Sequence, residues 1–154
     1  MPTAILANAL RSIGGDVCID AAERLEALSG RAERFSLHLR QAGLNQTDAK
    51  LLTDALGSFK SVKHTVISSL SVSFNPGIRD EGVTAIANTL PLTLPELGMV
   101  GCNMGDQADE SLLRWAHAAP NLHTMCIEQN RFSARLKARF TELAQERPNI
   151  LLMV

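Results

Sequence analysis

The side chains here that could carry chemistry are four histidines, His38, His64, His117 and His123, three cysteines, Cys18, Cys102 and Cys126, and a set of carboxylates that includes Asp80, Glu81, Asp106, Asp109, Glu110 and Glu128. Their spacing argues against chemistry. His117 and His123 stand six residues apart across a helix end, which is not a metal-ligand spacing. A cysteine nucleophile needs a base within hydrogen-bond reach, and no cysteine has a histidine placed for it. Asp80 and Asp106 read as acidic helix N-caps rather than as a catalytic pair. No GxxxxGK[ST] or GxGxxG loop is present to cradle a phosphate. The densest basic stretch runs from Arg131 to Arg139, with residues 131, 135 and 139 on one helix face. A solvated face accounts for it without an RNA partner. The residues therefore predict no catalytic group, no metal and no cofactor.

Composition narrows the field further. The chain has 154 residues, 15 Lys plus Arg against 16 Asp plus Glu, and a net charge of −1. That size suits one domain with a sizeable core. The charge balance offers no field to gather nucleic acid or an anionic membrane, so neither is expected as a partner. Apolar residues make up 45% and aromatics only 4%, so the core must be aliphatic. Three widely spaced cysteines form no disulfide framework, and no Sec-type signal or spanning run is seen. A reducing cytoplasm is the expected setting; export by a specialised route, as an effector, is compatible with the same composition.

The elements that position these residues are repeats. Segments starting at Leu37, Leu70, Leu97 and Met125 read alike, with steps of 33, 27 and 28, and Ile150-Leu-Leu-Met-Val154 falls where a fifth start is due. Each opens with alternating apolar residues. Eight residues after Leu44, Ile78, Met104 and Phe132 come Leu52, Ile86, Leu112 and Phe140; twelve after them come Leu56, Leu90, Ala116 and Ala144. Offsets of 8 and 12 share one face of a helix. Each unit is thus a short strand, a loop and a helix, and only stacked copies can bury the apolar side.

With these units in view, the chain resembles the leucine-rich repeat family, in particular the ribonuclease-inhibitor-like subfamily. The match is best over Leu70-Ser-Val-Ser-Phe-Asn-Pro-Gly-Ile-Arg-Asp-Glu-Gly-Val-Thr-Ala-Ile-Ala-Asn-Thr-Leu90. The resemblance implies an α/β solenoid, a right-handed β-α superhelix with parallel strands on its concave face and helices on its convex face. It also implies a turn ladder of Asn75, Cys102 and Asn130, whose side chains would hydrogen-bond the turns between repeats. Ala42 stands where the first repeat should have its ladder residue. The 33-residue first step needs about five extra residues, expected within 57–65. Residues 35–154 are assigned to about four repeats plus a terminal strand, and residues 1–34 to an N-terminal cap or a degenerate repeat. For that cap a helix beginning at Asp20 and ending near Gly30 is read, preceded either by a zeroth repeat through Leu10 and Val17 or by a helix over 3–12.

Alternation then fixes what faces a partner. One outward column is His38, Ser71, Gly98 and Cys126; the next is Arg40, Ser73, Val100 and Glu128; the loop entry adds Gln41, Phe74, Gly101 and Gln129. On this geometry His38 and Cys126 lie three strands apart, too far to pair. The expected function is a non-enzymatic protein–protein interaction module that binds a protein or peptide through His38, Arg40, Ser71, Ser73, Phe74, Val100, Cys126 and Glu128. The alternative is a regulator of a small GTPase resembling Ran GTPase-activating protein, with Arg79 or Arg131 as its loop arginine. The terminal strand also invites end-to-end pairing of copies through its edge.

Overall fold

The computed structural model describes residues 2–28, 34–62 and 66–154. Among them are five strands and six helices: α1 (Pro2–Ile13), α2 (Asp16–Ala27), β1 (Phe35–His38), α3 (Gln46–Leu56), β2 (Ile67–Ser71), α4 (Arg79–Ala87), β3 (Glu96–Gly98), α5 (Asp109–Ala118), β4 (Thr124–Cys126), α6 (Ala134–Glu146) and β5 (Leu151–Met153). The strands form one parallel sheet in the order β1-β2-β3-β4-β5. Each parallel step therefore encloses one helix, and α3, α4, α5 and α6 pack side by side as a second layer.

The apolar periodicity explains the layering. Leu37, Leu39, Leu70, Val72, Leu97, Met99, Met125 and Ile127 are all buried on the sheet side of the core. Leu52, Ile86, Leu112 and Phe140, one per helix, meet them at 1% exposure or less. Few aromatics are involved, so the core is packed from branched and straight aliphatic chains. Gly82 permits the close approach of α3 and α4: a Cβ there would stand 2.6 Å from Ile78 Cγ2 and 3.2 Å from Ala49 Cβ. Arg147, just past α6, donates to the terminal carbonyls of Ala116 and Ala119 at 2.6 and 2.8 Å and so closes α5.

At the first end the structure has a helix at Pro2–Ile13, close to the 3–12 alternative, and no strand of a zeroth repeat. Residues 2–27 hold two helices and no strand, joined at Gly14 and Gly15, whose φ values of 78° and 83° suit glycine. The second helix begins at Asp16, so Asp20 lies inside it rather than capping it; the acid pair at Asp20 and Glu23 imitates a capping box that the chain does not use here. Gly30 lies outside the described residues. Buried Leu6, Leu10, Cys18, Ala22 and Leu25 join the same core, with α1 against α3 and α2 against β1, and a bidentate Arg11–Glu26 pair (2.6 and 2.9 Å) ties the two helices. Of the extra residues expected in 57–65, Gly57–Phe59 form a 3-10 turn that buries Phe59.

Candidate functional site: the open sheet face and its loops

Among the described residues, one face of the sheet carries no buried large side chain. Register places His38, Ser71, Gly98, Cys126 and Met153 in a row across all five strands. His38 and Met153 are exposed, and Ser71, Gly98 and Cys126 are half-buried. Small residues keep the middle of this row low. Gly98 fits closely there, since a Cβ would stand 3.0 Å from Ser71 Oγ and 3.2 Å from Ser73 Oγ and would push on both hydroxyls. The His38 ring nitrogen Nε2 hydrogen-bonds Ser69 Oγ at 3.0 Å, which orients the imidazole along the sheet.

The next column is less uniform than alternation alone suggests. Arg40 is exposed and Val100 and Glu128 are half-buried, but Ser73 retains only 7% exposure. Its hydroxyl accepts from the Val100 backbone N–H and from Ser71 Oγ, both at 3.1 Å, so Ser73 braces the strand ends instead of facing outward. Gln41, Phe74, Gly101 and Gln129 share φ values of 51°, 59°, 61° and 58°. The chain thus makes the same left-handed turn at one position of each unit. At Phe74 that turn lays the ring over Gly101 and under the Arg40 guanidinium, 4.5 Å from the ring centroid. Such a stack contributes about 0.5–1 kcal/mol at an exposed site and presents an aromatic platform with a cation on it.

Beneath the loops lies a ladder of buried hydrogen bonds. Asn75, fully buried, accepts at Oδ1 from the N–H groups of Ala42 and Leu44 and donates from Nδ2 to the carbonyls of Leu39, Val72 and Ser73. Asn130 repeats this on Cys102, Met104, Met99, Ile127 and Glu128. Between them, the Cys102 thiol donates to Val72 and Val100 carbonyls at 3.3 and 3.7 Å. Each of these residues therefore fixes a turn of the preceding unit as well as its own. Ala42 carries no such side chain, and its backbone is held from Asn75 instead.

Asp80 and Asp106 are not caps of their own helices. Asp80 Oδ1 accepts from the Gly105 N–H at 2.6 Å, and Asp106 Oδ1 from the Ser133 N–H at 2.9 Å, one unit further along the chain. The Ser133 hydrogen bonds hold the Asp106 carboxyl below its ordinary pKa, helped by Arg135. Arg131 precedes α6, whose N-cap is Ser133, so it does not share a helix face with Arg135 and Arg139. Its guanidinium is tied to the Asn103 side chain at 2.6 Å, and Arg139 pairs with Glu110 at 2.8 Å. Arg79 is exposed, has φ 58°, and its side chain has no partner among the described residues.

The thiols are poor nucleophiles. Burial pushes Cys102 up to about 11 and raises Cys18 and Cys126 as well, so all three are protonated at neutral pH. His117 faces Glu146 at 4.0 Å and His123 faces Glu96 at 3.9 Å; His64 lies outside the described residues. Among the described residues no cluster of three metal-ligating side chains forms, and no helix is long and apolar enough to cross a membrane.

No protein-family model and no curated protein matches the sequence. The chain's fold is similar to the solved structure of leiomodin-1 actin-binding site 2, with a TM-score of 0.66 at 12% identity over 91% of this chain and 79% of that one. It is also similar to a structure of Chaetomium Mex67:Mtr2 subunits, with a TM-score of 0.53 at 18% identity over 85% of this chain and 88% of that one.

Proposed function

We propose that the chain is a leucine-rich-repeat module, a short solenoid that holds a protein or peptide partner on its open sheet face and adjoining loops and performs no catalysis. The observation that carries this reading is the joint one of an uncovered face and a rigid frame beneath it. His38, Arg40 and the Phe74 platform stand exposed or half-exposed, while the Asn75, Cys102 and Asn130 bonds fix the loops that present them. Aromatic and arginine side chains so placed are the usual anchors of an interface. The unit lengths and the turn ladder support the repeat assignment. The two similar structures, one titled an actin-binding site and the other a complex of subunits, support a protein as the class of partner.

The test compares affinity capture by the wild-type chain and by a His38→Glu/Arg40→Glu/Phe74→Ala variant of matched melting temperature. Partners retained by the first and lost by the second are expected. Identical captures would move the interface to the helices or the sheet edge. A GTPase-regulating reading is favoured only by Arg79, the left-handed first residue of α4, whose side chain has no partner among the described residues. Acceleration of hydrolysis in a panel of small GTPases, abolished by Arg79→Ala, would establish it in place of a purely binding role.

A further inference from the structure

Away from the open face, at the end of the helix layer where α4 runs out, lies a cleft of about 740 Å³. Its floor is Phe59, Leu90, Pro91 and Trp115, contributed by three successive units. The Trp115 indole N–H donates to the Pro91 carbonyl at 3.3 Å, so its polar edge is satisfied and the surface left to the cleft is apolar. Leu92 stands at the mouth, 53% exposed. Among the described residues, Lys60 and Arg114 are the charged residues of the lining, both exposed and both cationic, and no acid lines the cleft. Glu110, one turn before Arg114, is outside the lining; its hydrogen bond goes to Arg139, and it interacts with Arg114 only through a smaller Coulomb attraction.

We propose that this cleft binds a medium-chain acyl carboxylate, its hydrocarbon over Phe59, Leu90 and Trp115 and its carboxylate beside Lys60 and Arg114. The volume falls in the range of small-molecule sites, roughly 300–1,000 Å³. Phe59, Leu90 and Trp115, 3–4% exposed, close the bottom of the cleft, and the more exposed Val62, Leu92 and Ala118 give it apolar walls; a cleft of this volume takes one small molecule rather than the broad face that a protein interface of about 1,600 Å² demands. Two cations over an apolar floor select an anion with a tail. The site is separate from the sheet face, so its test stands or falls independently of partner binding.

Trp115 is the single tryptophan of a chain without tyrosine, so its emission reports directly on the cleft. Octanoate, decanoate and dodecanoate, each kept below its micelle threshold, are titrated against the intact chain. The expected result is a saturable change in emission whose affinity rises about fourfold per added CH₂ until the cleft is filled. Lys60→Glu/Arg114→Glu should weaken dodecanoate about tenfold, whereas Lys50→Glu/Lys137→Glu, the same change in net charge at exposed positions outside the cleft, should not. Dodecylammonium should bind far less well than dodecanoate, a comparison that uses only the wild type and survives a variant that fails to fold. No saturable change with dodecanoate, equal binding of dodecylammonium, or an unaltered affinity in a folded double variant would each overturn the proposal.

Discussion

Asn75 shows how much one side chain can hold: five hydrogen bonds to two successive units from a position with no solvent. Removing it strands donors and acceptors that water cannot reach, at about 1–3 kcal/mol for each orphaned group with partial relaxation. We expect Asn75→Ala to cost about 3 kcal/mol in chemical denaturation, and Asn75→Asp, which keeps the acceptor but not the donors, to rescue little of it. An unchanged denaturation midpoint for Asn75→Ala would refute this account of the turn. The ladder positions were readable from sequence, because Asn75, Cys102 and Asn130 recur at a fixed place in three units, while their bonding role was what the leucine-rich-repeat resemblance implied. The roles of Asp80 and Asp106 were not. Both recur as regularly, but an acid two residues past an apolar anchor looks the same whether it caps its own helix or bonds the next unit.

Helix and strand positions follow from the apolar spacing, and Leu52, Ile86, Leu112 and Phe140, which that spacing places on one helix face, are all buried. The helix starts were harder to read. The α2 start at Asp16 depends on the left-handed Gly15, whereas Asp20 and Glu23 gave a false start within the same helix. The cleft by α4 gave no signal at all, since its walls come from helices and loops of three units whose proximity is a property of stacking. At this scale acid sensitivity is the informative test. Asp106, Glu110 and Glu26 are all held below their ordinary pKa by hydrogen bonds, from Ser133, Arg139 and Arg11 respectively. A lowered folded pKa gives stability that is present above the unfolded value and lost as pH falls through the folded one. The melting temperature should therefore drop below the usual carboxylate range, and Asp106→Asn should lower it at neutral pH while flattening that acid limb. Parallel curves for variant and wild type would show that the Asp106 bond contributes nothing.

Over the whole molecule the two ends of the sheet are treated differently. The β1 end is closed by the α1–α2 hairpin, through Leu6, Leu10 and Leu25, whereas β5 carries Leu151 and Met153 at 61% and 46% exposure on the open face. We expect Leu10→Asp to lower the melting temperature by 10 °C or more, on the order of 3 kcal/mol for a charge placed in this core, and Leu151→Asp to leave it nearly unchanged. A mild effect of Leu10→Asp would mean that the repeats do not lean on the hairpin. The ladder also has a direction. Asn75 completes a turn made by Ala42 and Leu44, and Asn130 one made by Cys102 and Met104, so each turn is finished by residues 26 to 33 positions later. During synthesis the most recent turn must therefore wait, its amides unpaired, until roughly one more unit has left the ribosome. A chain stalled between residues 44 and 75 would present a finished hairpin and strand with an unlatched loop, so ribosome-bound intermediates should gain protection from protease in steps of one unit.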